Sequence, residues 1–149
     1  MKMKHIHIVL FGLYSALMLW LLFDRSGYET GIPYLDQLRW NLTPLKTIRL
    51  YCHAFRSGGV ALRNLAIINL GGNVLMFIPL GFFLPRVFPK IKRLSALLLT
   101  TAAVIISVEL IQLLTLLGSC DIDDLLLNLL GAAVGYWIHK SIRKNACSD

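Results

Sequence analysis

Three acidic residues could carry chemistry in this otherwise apolar chain: Glu109, Asp121 and Asp124. Glu109 lies inside a long aliphatic segment, and the two aspartates open the next one. Because carboxylates that enter a membrane span are costly, they need partners in the fold or a role in function. Three carboxylates brought together could bind a cationic group, hold a divalent ion or perform acid–base chemistry.

Catalysis is the least favoured of these alternatives. The sequence has no HExxH motif, no nucleophile motif and no phosphate-binding loop. Ser119 and Cys120, which lie next to the aspartates, are interpreted as a helix cap and a structural thiol. We therefore assign no catalytic residue, no metal ligand and no cofactor.

Amide side chains lie at helical spacing around these acids. Asn69 and Asn73 are four residues apart and Glu109 and Gln112 are three apart, so each pair shares a helix face. In the last apolar segment, steps of 3, 4, 3 and 4 predict one helix stripe made of Asp121, Asp124, Asn128, Gly131 and Gly135. Taken alone, Asn69 and Asn128 are interpreted as groups that join helices by hydrogen bonds. Together with three acids, which are poor at joining helices, they predict a functional pocket.

The composition is that of a membrane protein. The chain has 149 residues, of which 56% are hydrophobic and 15% are charged, whereas soluble domains average about 25% charged residues. The net charge of +7 does not predict nucleic-acid binding, because the basic residues flank apolar segments. They are interpreted as groups that anchor and orient spans in a lipid bilayer.

Four apolar segments predict an all-α bundle with four transmembrane helices, at about 8–23, 66–84, 94–117 and 121–139. The whole chain, 1–149, is predicted to be one domain. Lysine and arginine occur at the amino end, in the loop 85–93 and in the carboxyl tail, whereas the loop 118–124 has none. The positive-inside rule therefore predicts that both termini are cytoplasmic.

The first outer loop contains a predicted amphipathic helix. Its apolar face carries Leu45, Ile48, Cys52 and Phe55, and its basic face carries Lys46, Arg49, His53 and Arg56. This pattern is typical of a helix that lies on a membrane surface. A cap packed over the bundle with a solvated basic edge is an equally good and compatible interpretation.

The polar residues fall at similar depths. At 1.5 Å per residue from the outer end of each span, Asn73, Glu109 and Asn128 lie roughly 10–12 Å deep. Asn69, Gln112 and the two aspartates lie nearer the surface. Because unpaired polar groups are costly in lipid, we expect these side chains to form an acidic pocket in the outer half of the bilayer.

Small residues and one proline are predicted to have structural roles. Gly131 and Gly135 form a small-xxx-small pattern that favours close helix packing. The Gly71-Gly72 pair is interpreted in the same way, and Gly81 is assigned a structural role. Pro79 is expected to kink the second span and to free a backbone carbonyl.

These residues, in order, resemble the VanZ-like family. The resemblance rests on the segment 72–81 (GNVLMFIPLG), on Glu109 to Gln112, on Asp121 to Asp124, and on Asn128 followed by Gly131; the segment 41–48 (NLTPLKTI) is also similar. It covers about residues 40–138. The sequence departs from the family at Gly118, where an arginine is usual, and Arg56 or Arg63 could replace this partner of the carboxylates.

The resemblance implies a small bacterial inner-membrane protein related to teicoplanin resistance or to cell-envelope physiology. The residues leave three hypotheses open. The pocket could bind an amphiphile such as a lipoglycopeptide at the outer face. The chain could instead be a proton-coupled transporter, with Glu109 as the titrating group and a homodimer as the working unit. A carboxylate- or metal-dependent membrane enzyme is the third.

Overall fold

The computed structural model describes residues 2–23, 40–115 and 120–145. These residues form five helices and one pair of very short strands. In chain order the elements are α1 (Lys2–Phe23), β1 (Trp40–Asn41), α2 (Lys46–Ser57), α3 (Val60–Val87), α4 (Leu94–Leu114), β2 (Cys120–Asp121) and α5 (Ile122–Asn145). The predicted all-α class is therefore confirmed, with the strand pair as an addition.

Within the described residues, three helices are long and apolar enough to cross a membrane: His5–Phe23, Ala66–Val87 and Leu94–Leu114. They correspond to the first three predicted spans and indicate a membrane protein. The last helix, α5, is more polar, because Asp123 and Asp124 lie in its first turn and Arg143 and Lys144 in its last. A fourth transmembrane helix therefore stays a prediction.

Two predicted boundaries differ from the structure. The third span was expected to reach residue 117, but α4 ends at Leu114. The last span was expected to begin at Asp121, but this residue belongs to β2 and the helix begins at Ile122. Because Asp121 lies outside the helix, the 3.6-residue period that placed it on a stripe with Asp124 does not apply to it.

Helices α3 and α5 pack with their backbones in contact. A Cβ atom added at Gly81 would lie 1.9 Å from the carbonyl oxygen of Ala132. Cβ atoms at Gly131 and Gly135 would lie 2.1 Å and 2.0 Å from carbonyl oxygens of α3. Only glycine fits at these three positions without moving a helix. At Gly71 and Gly72 an added Cβ would meet open space, so the close-packing interpretation of that pair is wrong.

Two apolar clusters hold the helices together. Met18, Phe77, Leu80 and Ile105 form one, and Leu84, Leu97, Ala132 and Tyr136 form the other. Helix α3 continues through Pro79 and Pro85 without a break. One turn before Pro79, the hydroxyl of Tyr14 donates to the carbonyl oxygen of Met76 at 2.7 Å, which ties α1 to α3.

The strand pair joins distant parts of the chain at one end of the bundle. β1 and β2 are parallel, and Asn41 is in register with Asp121. Helix α2 follows β1 and packs against α3. Of the four residues predicted on its apolar face, only Ile48 is half-buried, whereas Leu45, Cys52 and Phe55 are exposed. We call this end of the bundle, which carries the aspartates, the acidic end.

Candidate binding site at the acidic end

A cavity of about 120 Å³ lies between α1, α3, α4 and α5, and we call it the acidic cavity. Six of the seven predicted pocket residues line it: Asn69, Asn73, Glu109, Gln112, Asp124 and Asn128. Apolar side chains from α1 and α4, including Leu22, Val104 and Val108, form another wall. The polar residues that depth counting placed at similar levels therefore line one cavity in the folded chain. The sequence alone does not show which of these helices are in contact.

Helices α3 and α5 meet across this cavity through a hydrogen bond. The Nδ2 of Asn73 donates to Oδ1 of Asp124 at 2.6 Å. A hydrogen bond to an ionised acceptor is shorter and stronger than a neutral one. This bond fixes the carboxylate of Asp124 in the wall of the cavity.

The neighbouring Asn128 behaves differently. Its side chain is only 6% exposed, and its Oδ1 accepts no hydrogen bond within the described ranges. Since a buried acceptor without a partner costs about 1–3 kcal/mol, this oxygen is an unusual feature of the cavity wall. The interpretation of Asn128 as a group that joins helices does not account for it.

Glu109 is buried in the same wall, with 8% of its surface exposed. Its Oε2 accepts a hydrogen bond from Sγ of Cys120 at 3.4 Å. Burial, this hydrogen bond and the charges of Glu109 and Asp121 raise the pKa of the Cys120 thiol. The thiol therefore acts as a proton donor to the carboxylate and is a poor nucleophile.

Gln112 closes the cavity on the side of α1. Its Nε2 donates to the backbone carbonyl oxygen of Leu22 at 2.7 Å. Leu22 lies in the last turn of α1, where carbonyl groups have no partner within the helix. The bond therefore satisfies a helix end and holds α1 against α4.

Asp121, the seventh predicted residue, does not line the cavity. Its Oδ2 accepts a hydrogen bond from Oγ1 of Thr47 at 2.6 Å, and its Oδ1 accepts one from Nδ2 of Asn41 at 3.2 Å. Both donors belong to the segment that enters α2. Asp121 thus binds the segment 41–47 to the start of α5.

Asp123, which sequence reasoning left without a role, is the centre of the same network. It is fully buried and accepts the backbone N–H groups of Leu45, Thr47 and Ile48 at 2.5, 2.8 and 3.1 Å. These groups begin α2, and Asp123 itself lies in the first turn of α5. Its carboxylate therefore lies at the positive ends of two helix dipoles. We call Asn41, Thr47, Asp121 and Asp123 the polar clasp.

One signal in the sequence could have revealed this role. Helix α2 begins after Leu45, and an aliphatic side chain cannot cap a helix. In the structure Leu45 also has a left-handed backbone conformation, with a φ of 64°. That conformation costs a non-glycine residue about 1 kcal/mol. A helix that starts without its own cap needs an acceptor from elsewhere in the chain, and an aspartate next to a predicted partner is a natural candidate.

The arginine partners expected for the carboxylates of the acidic cavity stay a prediction. Arg63 lies over the ring of Phe55, with its Cζ atom 5.4 Å from the ring centroid. Gly118, the position of that arginine, lies outside the described residues. Within the described ranges Glu109, Asp121 and Asp124 also do not form a group that could hold a metal ion.

The comparisons with known proteins support the resemblance seen in the sequence. The sequence model of the VanZ/LLP1 family matches residues 11–143. The match is wider than the predicted range of about 40–138 and includes most of α1. No curated protein and no solved structure matches the chain. Because the family match covers nearly the whole chain, this protein belongs to the VanZ/LLP1 family.

Proposed function

We propose that this VanZ/LLP1 protein binds the cationic or zwitterionic head of an amphiphile in the acidic cavity, at the outer face of a bacterial inner membrane. Through this binding it would contribute to resistance to teicoplanin-type glycopeptides or to related cell-envelope physiology. In this proposal α5 is the fourth transmembrane helix, both termini are cytoplasmic, and the acidic end faces outward.

The observation that supports the proposal is the group of hydrogen-bond acceptors that line one cavity. The carboxylates of Glu109 and Asp124 and the unpaired Oδ1 of Asn128 all line the acidic cavity. An ammonium group has three donors and no acceptor, so it matches these acceptors in both charge and hydrogen bonding. A bound cation would take the place of the arginine that the family usually has at position 118.

The size of the cavity limits what can enter it. About 120 Å³ is well below the roughly 300–1,000 Å³ of sites for drug-sized ligands. It accommodates a small polar head but not a whole glycopeptide. The apolar wall formed by Leu22, Val104 and Val108 would then guide an acyl chain into the bilayer between α1 and α4.

Exposed apolar groups on α2 favour the same arrangement. Leu50 and Phe55 are exposed, while Arg49 and Arg56 lie on the same helix. Such a helix suits the interface of an anionic membrane. In this proposal α2 lies beside the mouth of the cavity and attracts the ligand to the surface.

Binding is favoured over proton-coupled transport by the core below the cavity. Met18, Phe77, Leu80 and Ile105 form a buried apolar cluster, and all of them except Leu80 also line the acidic cavity. A carrier would have to open this cluster to let a substrate pass. Uptake into vesicles that depends on a proton gradient and is lost in Glu109→Gln would favour transport instead.

The test uses isosteric variants in a sensitive bacterial host. Glu109→Gln and Asp124→Asn remove one charge each and are expected to abolish protection against teicoplanin, while the protein still accumulates in the membrane. Ser107→Ala is the matched control, because Ser107 is exposed on α4 and bonds only to its own helix. Full protection by both charge variants would refute the proposal.

A second arm tests the role of the acyl chain. A teicoplanin derivative without its acyl chain should be equally toxic to cells with and without the protein. Equal protection against both compounds would show that the ligand is not held as an amphiphile.

The orientation of the protein is tested separately. If the acidic end faces outward, the exposed Cys52 should react with a membrane-impermeant maleimide in intact cells.

A further inference from the structure

A second and larger cavity lies at the other end of the bundle. It has a volume of about 380 Å³, and Lys92, Tyr136, His139, Lys140 and Arg143 are among its lining residues. We call it the basic cavity. From Asp124 to Arg143, α5 rises about 28 Å, so the two cavities are at opposite ends of the helix.

The described residues place no carboxylate at this end of the bundle. The acidic residues within the described ranges are Glu109, Asp121, Asp123 and Asp124, and all of them lie at or near the acidic end. Among the described residues, the basic cavity is therefore lined by cations and neutral groups only. Lys92 and Arg143 form no ion pair with any described residue, so their charges remain available to an anion.

The orientation of His139 adds a donor to this cavity. The guanidinium of Arg86 donates to the carbonyl oxygen of Phe82 at 3.0 Å and also contacts Nδ1 of His139. Because arginine can only donate, Nδ1 of His139 must be the acceptor. The proton of the neutral imidazole is then on Nε2, which makes this atom a hydrogen-bond donor.

The wall of the cavity is fixed by a buried tyrosine. The hydroxyl of Tyr136 donates to the carbonyl oxygen of Lys92 at 2.9 Å, and Tyr136 is only 7% exposed. This bond holds the loop between α3 and α4 against α5. Lys92 is thereby kept close to Lys140 and Arg143, which come from a distant part of the chain.

We propose that the basic cavity binds a phosphate group. Two lysines, an arginine and an imidazole donor match the charge and the acceptors of a phosphate. The headgroup of an anionic phospholipid or a free phosphate ion could supply this group. The lipid source is favoured because Trp137 is exposed and its ring centroid lies 5.1 Å from Nζ of Lys140, a lining residue, and because basic pockets between helices at the membrane surface hold anionic headgroups.

The experiment measures lipid retained by the purified full-length protein. Phosphatidylglycerol and diacylglycerol with the same acyl chains are added in detergent, and bound lipid is counted by native mass spectrometry. The test variant is Lys140→Gln/Arg143→Gln. The matched control is Lys90→Gln/Arg93→Gln, which removes the same two charges from the same end but from residues that do not line the cavity.

The expected result is selective retention of phosphatidylglycerol that falls at least about tenfold in the test variant and is unchanged in the control. Competition by millimolar inorganic phosphate would identify free phosphate as a source, whereas no competition would identify the lipid headgroup. Equal losses in both variants, or equal retention of diacylglycerol, would overturn the proposal. The result is independent of the acidic cavity and of its proposed ligand.

Discussion

Oδ2 of Asp123 accepts the backbone N–H of Thr47 at 2.8 Å, although the two residues are 76 positions apart in the chain. This hydrogen bond belongs to the polar clasp, which fixes the start of α2 to the start of α5. Because Asp124 follows Asp123 directly, the same clasp determines where the carboxylate of the acidic cavity lies. A structural aspartate and a candidate ligand-binding aspartate thus occupy adjacent positions with different surroundings.

Removing the charge of Asp123 should loosen this end of the bundle. Asp123→Asn keeps the volume but leaves only one acceptor oxygen for three backbone N–H groups. Since an unsatisfied buried donor costs about 1–3 kcal/mol, we expect a lower melting temperature in detergent and faster proteolysis near residues 42–46. Unchanged melting and proteolysis would show that the clasp does not contribute to stability.

The side chain of Thr47 offers a finer test of the clasp. Thr47→Val keeps the shape but removes the hydroxyl that donates to Asp121, and it should lower stability by about 1–3 kcal/mol. Thr43→Val is the matched control, because the side chain of Thr43 is exposed on the same segment. Melting curves of the two variants in one detergent make the comparison, and equal effects would contradict the assignment.

The backbone contact between α3 and α5 should not tolerate a methyl group. In Gly131→Ala the new Cβ would lie 2.1 Å from the carbonyl oxygen of Val74, so the helices must separate. Overpacking of this kind costs about 1–3 kcal/mol or more. Gly72→Ala adds the same methyl group to open space and should melt like the wild type. The prediction fails if both variants have the same melting temperature.

Asn128 should show a conflict between stability and function. Replacing it with leucine removes a buried acceptor without a partner, so we expect Asn128→Leu to raise the melting temperature or leave it unchanged. The same variant should lose the teicoplanin phenotype if Oδ1 contacts the ligand head. A clear loss of stability would instead indicate that Asn128 joins helices.

Alkylation of Cys120 should have an unusual pH profile. Only the thiolate reacts. Because the pKa of Cys120 is raised, its thiolate forms at a higher pH than that of an ordinary cysteine, whose pKa is about 8.5. The rate of reaction with iodoacetamide should therefore rise at a higher pH than it does for an ordinary cysteine. Glu109→Gln removes a negative charge next to the thiol and should move the profile toward lower pH. An ordinary profile in the wild type would contradict the contact with Glu109.

The amino-acid sequence by itself determined much of this protein. Long apolar segments broken by basic loops are sufficient to predict the helices, because a membrane requires all backbone hydrogen bonds to be made within the helix. Helical spacing brought Asn69 and Asn73 onto one face, and depth counting set Asn73, Glu109 and Asn128 at one level. The family resemblance followed from motifs that a single chain displays.

Only the tertiary structure decided how the three neighbouring aspartates divide their roles. Periodicity assigned Asp121 to the pocket, but α5 begins one residue later, so helical spacing could not describe that side chain. Asp123 was overlooked because its partners are backbone N–H groups of α2, and backbone groups leave no mark on the sequence pattern. The role of each carboxylate depends on which distant segment packs against it, which is a property of the folded chain.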